Sequence, residues 1–243
     1  MPKFENIRNF RDLGGRGPIR AGVLYRSGNL SEASDAELDR LFGLGIKTVI
    51  DLRIDREAAS RPDRLPNGAA LLRIPLLLNG GTPGHTAVSR IKSGAAGPPK
   101  ADMTEGYFLM AGQYAPSFGR ALASIAESEG AALFHCQHGK DRTGVFAALI
   151  LSLAGADFAF IMEDYLKTNE ALAPFFLGDF TAKSAGMDER QQAIMKSVFT
   201  AEPEYLEAFF SGMKRLAPTV GDYATKAAGI STLTLEKLLE KLC

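Results

Sequence analysis

At 243 residues the chain is long enough for one substantial core and short for two, and 46% apolar against 23% charged side chains excludes a mostly disordered polymer. Its 28 basic and 28 acidic residues cancel, so no global electrostatic pull toward nucleic acid or an anionic membrane follows. Two distant cysteines, Cys136 and Cys243, make no disulfide framework and suit a reducing compartment. The opening MPKFENIRNF carries Lys3, Glu5 and Arg8 and has no apolar stretch of the secretory kind. The longest apolar run, residues 145–161, is broken by Ser152, Gly155 and Asp157 and falls short of the ~20 residues a membrane span needs. The expectation is a cytoplasmic protein with no integral membrane segment and no nucleic-acid partner, export without a signal peptide aside; its oligomeric state is not legible.

In chain order, GVLYRS (22–27) reads as a strand, and Ser34 with Glu37 three residues on forms a capping box opening a helix that should bury Leu38, Leu41 and Phe42. IKTVIDL (46–52), rich in β-branched residues, reads as a second strand, and LLRIPLLL (71–78) as another. Residues 79–100, NGGTPGHTAVSRIKSGAAGPPK, are rich in Gly, Pro and small side chains, which suggests a lid or an inert insertion loop. ALFHC (132–136) is continuously apolar, as a strand covered on both faces would be. Beyond residue 142 no strand is expected: Val145, Leu149 and Leu153 recur at helical spacing, and 157–171, 187–199, 203–215 and 233–242 read as helices. Strands first and helices later predict an α/β fold, a central mostly parallel sheet flanked by helices with a largely helical C-terminal region, in one domain over 1–243.

The chemistry concentrates in AALFHCQHGKDRTGVFAALI, residues 131–150. A buried strand ending at His135 feeds a tight loop through Cys136, Gln137, His138, Gly139 and Lys140, after which Asp141, Arg142 and Thr143 lead into a helix. Such a loop turns backbone N–H groups toward one point, where the helix dipole adds positive potential. Arg142 can fold back to offer its planar fork to a tetrahedral oxyanion, and Cys136 lies at the base of the same cradle, its thiolate favoured by the amides and the Thr143 hydroxyl. Gly139 and Gly144 supply backbone freedom and close helix packing. A nucleophile, an anion cradle and a guanidinium together describe phosphoryl transfer to cysteine. A nucleotide P-loop is excluded, because Asp141 follows Gly139-Lys140 where Ser or Thr is required. A zinc site from His135, Cys136 and His138 matches no common ligand spacing, and Cys136 as a mere buried small residue explains neither Arg142 nor the glycines.

HCQHGKDRTG resembles the His-Cys-x5-Arg-Thr/Ser-Gly motif of the protein tyrosine phosphatase superfamily, and more narrowly the bacterial and fungal tyrosine/serine-type phosphatases whose loop ends Gly-Lys-Asp-Arg-Thr-Gly. NFRDLGG (9–15), LYRSGNLS (24–31), VIDLRIDRE (49–57) and MEDYLKTN (162–169) extend the resemblance over nearly the whole chain. It implies a phosphatase fold and hydrolysis of a phosphate monoester on a phosphorylated protein or a phosphoinositide, with Cys136 as nucleophile and no metal or cofactor. Many such enzymes carry their general acid near a Trp-Pro-Asp sequence, but this chain has no Trp. The resemblance makes Asp141 the leading acid, an N-cap being its alternative role. Asp51 at a strand end comes second, with an ion pair to Arg53 or Arg11 as its alternative, and Asp102 third. Lys140 would hold a second phosphate or be a solvated lysine tuning the potential. Arg26 and Arg53 would face the site or pair structurally, and His135 would fix the loop by hydrogen bonding. Two other classes remain open: a phosphate-binding module without turnover, and a rhodanese-like or arsenate-reductase-like Cys-loop enzyme.

Overall fold

Short aliphatic runs separated by capped helices build a central sheet in the computed structural model, which describes residues 4–79 and 81–243. Strands β1 (Arg11–Asp12), β2 (Leu24–Ser27), β3 (Ile46–Asp51), β4 (Ala70–Arg73) and β5 (Ala131–His135) lie in the order β1-β2-β5-β3-β4. β1 pairs antiparallel with β2; the other pairings are parallel. The parallel crossovers run through helices α1 (Asp35–Gly43), α2 (Asp55–Ser60), α3 (Pro83–Lys92), α4 (Ala101–Gln113) and α5 (Ala115–Glu127). After β5 follow α6 (Asp141–Leu153), α7 (Phe158–Ser184), α8 (Glu189–Phe199), α9 (Pro203–Leu216), the short α10 (Val220–Asp222) running into a π-helical turn (Tyr223–Ala227), and α11 (Thr232–Leu242).

Local chemistry sets these boundaries. The expected capping box forms, Ser34 accepting from the Glu37 amide while Glu37 accepts from the Ser34 amide, and Asp188 with Gln191 repeats it at α8. Each cap contributes about 1 kcal/mol. Helix α1 buries Leu38 and Leu41, but Phe42 is 48% exposed, because the adjacent position turns about 100° off the apolar stripe and lies beside the Lys47 ammonium. The strand expected over 71–78 is regular only over Ala70–Arg73, although Ile74 N and Leu76 N still donate to the Asp51 and Leu52 carbonyls at 2.9 and 3.1 Å; Pro75 lies between them with its N turned to the free edge. Residues 79–100 are not loop throughout: the Thr82 side chain caps α3 and Pro83 occupies its first turn. The helix expected over 157–171 runs on to Ser184 past Pro174, and α4 and α5 were not anticipated. Among the described residues everything after 142 is helix or connection, as expected, and no helix is long and apolar enough to cross a membrane.

The two faces of β5 carry two hydrophobic layers. Ala131 and Leu133 pack with Leu38 and Leu41 of α1, whereas Ala132 and Phe134 face the larger core built from α4, α5, α6 and α9. There Phe134 meets Phe146 edge-on at 5.0 Å, and Phe146 stacks on Phe118 at 5.4 Å. The register pairs His135 with both Ser27 and Asp51, so parallel strands end together and the 136–140 loop leaves at their shared carboxyl edge, where α/β sheets bind ligands.

One contact gives a stability test of this packing. A Cβ at Gly119 of α5 would sit 1.9 Å from the Ala228 carbonyl oxygen, a backbone atom that cannot rotate away. Gly119→Ala is expected to cost about 2–3 kcal/mol in urea unfolding.

Candidate active site

Four carbonyls around the loop, those of His135, Gln137, Gly139 and Lys140, are bound from outside it. His135 O accepts from Leu52 N at 2.8 Å, and Gln137 O from Asn29 N at 3.3 Å and Asn29 Nδ2 at 2.8 Å. Gly139 O accepts from Asn9 Nδ2 at 2.8 Å and Arg26 Nη2 at 2.9 Å, and Lys140 O from Gly144 N at 2.7 Å. Carbonyl and amide point oppositely across a planar peptide, so carbonyls held outward turn the amides inward. Gly139 has φ 71°, and a Cβ there would meet Ser27 backbone atoms at 2.6 Å, so only glycine lets the loop lie this close to β2.

Arg142, in the first turn of α6, is clasped bidentately by Glu57: Nη1 donates to Oε2 at 2.5 Å and Nη2 to Oε1 at 2.8 Å. Burial alone would raise the Glu57 carboxyl, but Arg142 outweighs it and holds the group below the usual range. Glu57 also accepts from the Ile54 amide at the start of α2, so one carboxylate fixes both a helix and the guanidinium. Sequence reasoning missed it as a site residue; the acidic first turn of α2, Asp55 and Glu57, was the available signal.

Asp141 is the first residue of α6 and does not cap it. Its Oδ1 accepts from Tyr107 OH at 2.7 Å and Lys140 Nζ at 2.6 Å, and Tyr165 OH donates in turn to Tyr107 OH at 3.0 Å. Burial would raise the Asp141 carboxyl; the Lys140 ammonium and the Tyr107 hydroxyl outweigh it and hold it below the usual range. Lys140 is not a solvated lysine: it is 2% exposed, and its remaining contact is the Thr200 carbonyl at 3.2 Å. His138, packed edge-on against Phe176 at 5.5 Å, is lowered by burial to about 4 and is neutral at neutral pH.

A cavity of about 590 Å³ opens over the loop, lined by Gln137, His138, Lys140, Asp141 and Arg142 together with Glu57. Helix α3 roofs it with Pro83 and Val88, α7 and α8 wall it with Phe176 and Phe199, and Met110 and Tyr114 form its inner side. Cys136 is 3% exposed at the end of β5, and the Thr143 hydroxyl is buried on α6.

The remaining sequence candidates lie below the cavity. Asp51 accepts from Arg53 N and Nε at 2.9 Å, and Arg53 Nη2 reaches Asp63 at 2.5 Å, so Asp51 and Arg53 form a buried pair and not part of the wall. His135 presents Nε2 to Asp63 at 3.2 Å and Nδ1 to the Cys136 carbonyl at 3.3 Å, tying the loop to this network. Asp51, Asp63 and His135 could hold a cation by spacing, but the Arg53 guanidinium already meets both carboxylates. Arg26, fully buried, holds Gly139 O and Asp164. Arg11 pairs with Asp164 and not Asp51, and Asp102 pairs with Arg90 at 2.5 Å.

A parallel sheet that delivers a Cys-x5-Arg loop to a helix N-terminus defines the tyrosine-phosphatase class of enzymes, hydrolases of phosphoric monoesters. The chain belongs to the tyrosine phosphatase family, which it matches over residues 2–243. It is 30% identical, over 96% of its length and 85% of the other's, to a Cupriavidus necator protein named provisionally as a tyrosine-protein phosphatase. Over 68% of this chain and 67% of the relative it is 35% identical to the triple specificity protein phosphatase PtpB of Mycobacterium tuberculosis. The solved structure of P. aeruginosa TpbA aligns at 20% identity over 86% of this chain and 88% of that one, with a TM-score of 0.37.

Two measurements test the geometry. Glu57→Gln frees one side of Arg142 and is expected to lower kcat/KM on p-nitrophenyl phosphate by about 10- to 100-fold. Asp164 is the second. Burial would raise it, but Arg26 and Arg11 hold it down to about 2, below its unfolded value of roughly 3.9. Its contribution is therefore complete above the unfolded value and lost as pH falls toward 2. The stability gap between wild type and Asp164→Asn in urea should be open at pH 6 and close as the pH is lowered through that window.

Proposed function

We propose that this chain hydrolyses phosphate monoesters through a phosphocysteine formed on Cys136. The observation that carries the reading is the loop itself: outward-held carbonyls, inward amides and an Arg142 fixed by Glu57 surround the residue that must attack. Cys136 Sγ attacks phosphorus in line with the leaving oxygen while Arg142 and the amides of the loop hold the non-bridging oxygens. Gly139 serves that cradle by backbone shape, the Thr143 hydroxyl, buried on α6, makes no hydrogen bond within the chain, to Cys136 included, and Gln137 and His138 line the mouth. Asp141 protonates the leaving alcohol or phenol, and water then hydrolyses the phosphocysteine with Asp141 receiving its proton.

The lowered Asp141 carboxyl is compatible with an acid role. A monoester enters partly as its monoanion, whose last ionisation lies near pH 6, and the dianion left beside Asp141 favours the protonated carboxyl. One proton is thus shared between phosphate and Asp141. Lys140 and Tyr107 hold the carboxylate in place, and the Lys140 ammonium, turned to Asp141 and Thr200, favours a tuning role over grip on a second phosphate. Arg26 and His135 support the loop from beneath, while Asp51 and Arg53 brace the strand end.

The substrate we propose is a phosphorylated protein, phosphotyrosine first. The apolar wall of Met110, Phe176 and Phe199 suits an aromatic leaving group, and a relative is named for triple specificity, so phosphoserine, phosphothreonine and phosphoinositides belong in the trial set. The α3 roof would act as a lid within a single 1–243 domain; amide exchange over 83–92 should slow on adding inorganic phosphate, and unchanged exchange would discard the lid.

Phosphate release without added metal is the direct test. Cys136→Ser should abolish it, and release by that variant at the wild-type rate refutes the phosphocysteine. Asp141→Asn should lose about 10²- to 10³-fold on a phosphotyrosine peptide or an alkyl phosphate but far less on p-nitrophenyl phosphate, whose leaving group needs little protonation. Equal losses on all three would remove Asp141 from the acid role.

A further inference from the structure

Among the described residues, the buried side-chain polar atoms without a hydrogen-bond partner in the chain all belong to this site or lie directly under it: Arg26 Nε, Tyr114 OH, His135 Nε2, Gln137 Oε1 and Thr143 Oγ1. Two have an evident balance, since Arg26 bonds Asp164 through another nitrogen and His135 Nε2 faces Asp63 at 3.2 Å. Gln137 and Thr143 are part of the phosphate loop and its helix. Tyr114 is different: it comes from the junction of α4 and α5, outside the loop.

The other fully buried tyrosines show what a phenol does in this core. Tyr107 donates to Asp141, Tyr165 to Tyr107, Tyr205 to the Ser197 carbonyl at 3.0 Å and Tyr223 to the Ala111 carbonyl at 2.5 Å. Leaving a buried hydroxyl unpaired is costly, and chains rarely tolerate it without a use. Tyr114 is 0% exposed, its ring is held edge-on by Phe118 at 5.8 Å, and it forms part of the cavity lining with Asp141 and Arg142.

We propose that Tyr114 is a further catalytic residue, its hydroxyl donating a hydrogen bond to a non-bridging oxygen of the phosphoryl group. This rests on the phosphatase reading above. Burial pushes the phenol up from its ordinary value, an effect the nearby Arg142 opposes and Asp141 and Cys136 reinforce, so the group keeps its proton and can only gain by meeting an acceptor. A phosphoryl dianion offers acceptors alone. The hydroxyl would thus add a neutral donor to a cradle otherwise made of amides and one guanidinium. Because the non-bridging oxygens are charged in substrate, transition state and product alike, the bond strengthens binding throughout and not the chemical step in particular.

Tyr114→Phe removes one oxygen and leaves the packed ring. KM for p-nitrophenyl phosphate and the inhibition constant for inorganic phosphate should each rise about tenfold or more, with kcat within about threefold. The melting temperature should hold or rise, since the variant no longer buries an unpaired hydroxyl. Tyr223→Phe is the control: it loses a satisfied bond, so it should melt lower while keeping wild-type KM and phosphate inhibition. Overturning the proposal takes a Tyr114→Phe enzyme whose KM and phosphate inhibition stay within twofold of wild type. If Cys136→Ser is inert in that same series, the phosphatase reading stands and only the Tyr114 assignment falls. A folded wild type that neither turns over p-nitrophenyl phosphate nor binds inorganic phosphate in calorimetry removes both.

Discussion

A loop that binds a dianion with its backbone must show the ligand amides and hide its carbonyls, and this requirement governs a large part of the chain. The donors that hold the carbonyls come from Asn9 near β1, Arg26 of β2, Asn29 after it, Leu52 after β3 and Gly144 of α6. The parallel register brings those places to one edge. Arg26 must then be neutralised, which recruits Asp164 from α7 and with it Arg11. The sheet's order and the first turns of α7 are thus tied to the direction in which a few peptide planes point.

Charge follows the same logic. Two of the cations lining the cavity, Lys140 and Arg142, are each matched by a carboxylate, one from the start of α6 and one from α2. Their pairing keeps buried charge tolerable before a substrate arrives, and a dianion can then share the donors. The carboxylates sit on different elements, so one can serve chemistry while the other holds geometry.

How much of this was legible in the sequence depends on distance along the chain. Cys136, Gly139, Asp141 and Arg142 lie within one short segment, where spacing alone implies a shared centre. Glu57, Tyr107 and Tyr114 reach that centre only through tertiary packing of α2, α4 and α5; the acidic first turn of α2 is the one local mark, and nothing local marks the two tyrosines. Gly106, Gly112 and Gly119 weaken the local helical signal of the two helices over 101–127. Gly106 and Gly119 are points of close approach, to Pro83 and to the Ala228 carbonyl. Asp51 and Arg53 were rightly placed at a strand end, but that end carries a buried ion pair beneath the ligand edge. Lys140 was read as solvent-facing or ligand-facing because its neighbour across the gap, Thr200, is sixty residues away.

The roof has its own small apolar cluster, Ala87 and Ile91 of α3 against Ile194 and Met195 of α8, separate from the two layers on the sheet. A cluster of that size contributes little to global cooperativity, so the lid movement proposed for α3 would leave the sheet and its loop folded. Limited proteolysis should then cut first in the Gly- and Ala-rich stretch 94–97 after α3, releasing nothing from the core. A nicked chain of this kind would separate the contribution of a continuous roof from that of the phosphate loop within one molecule.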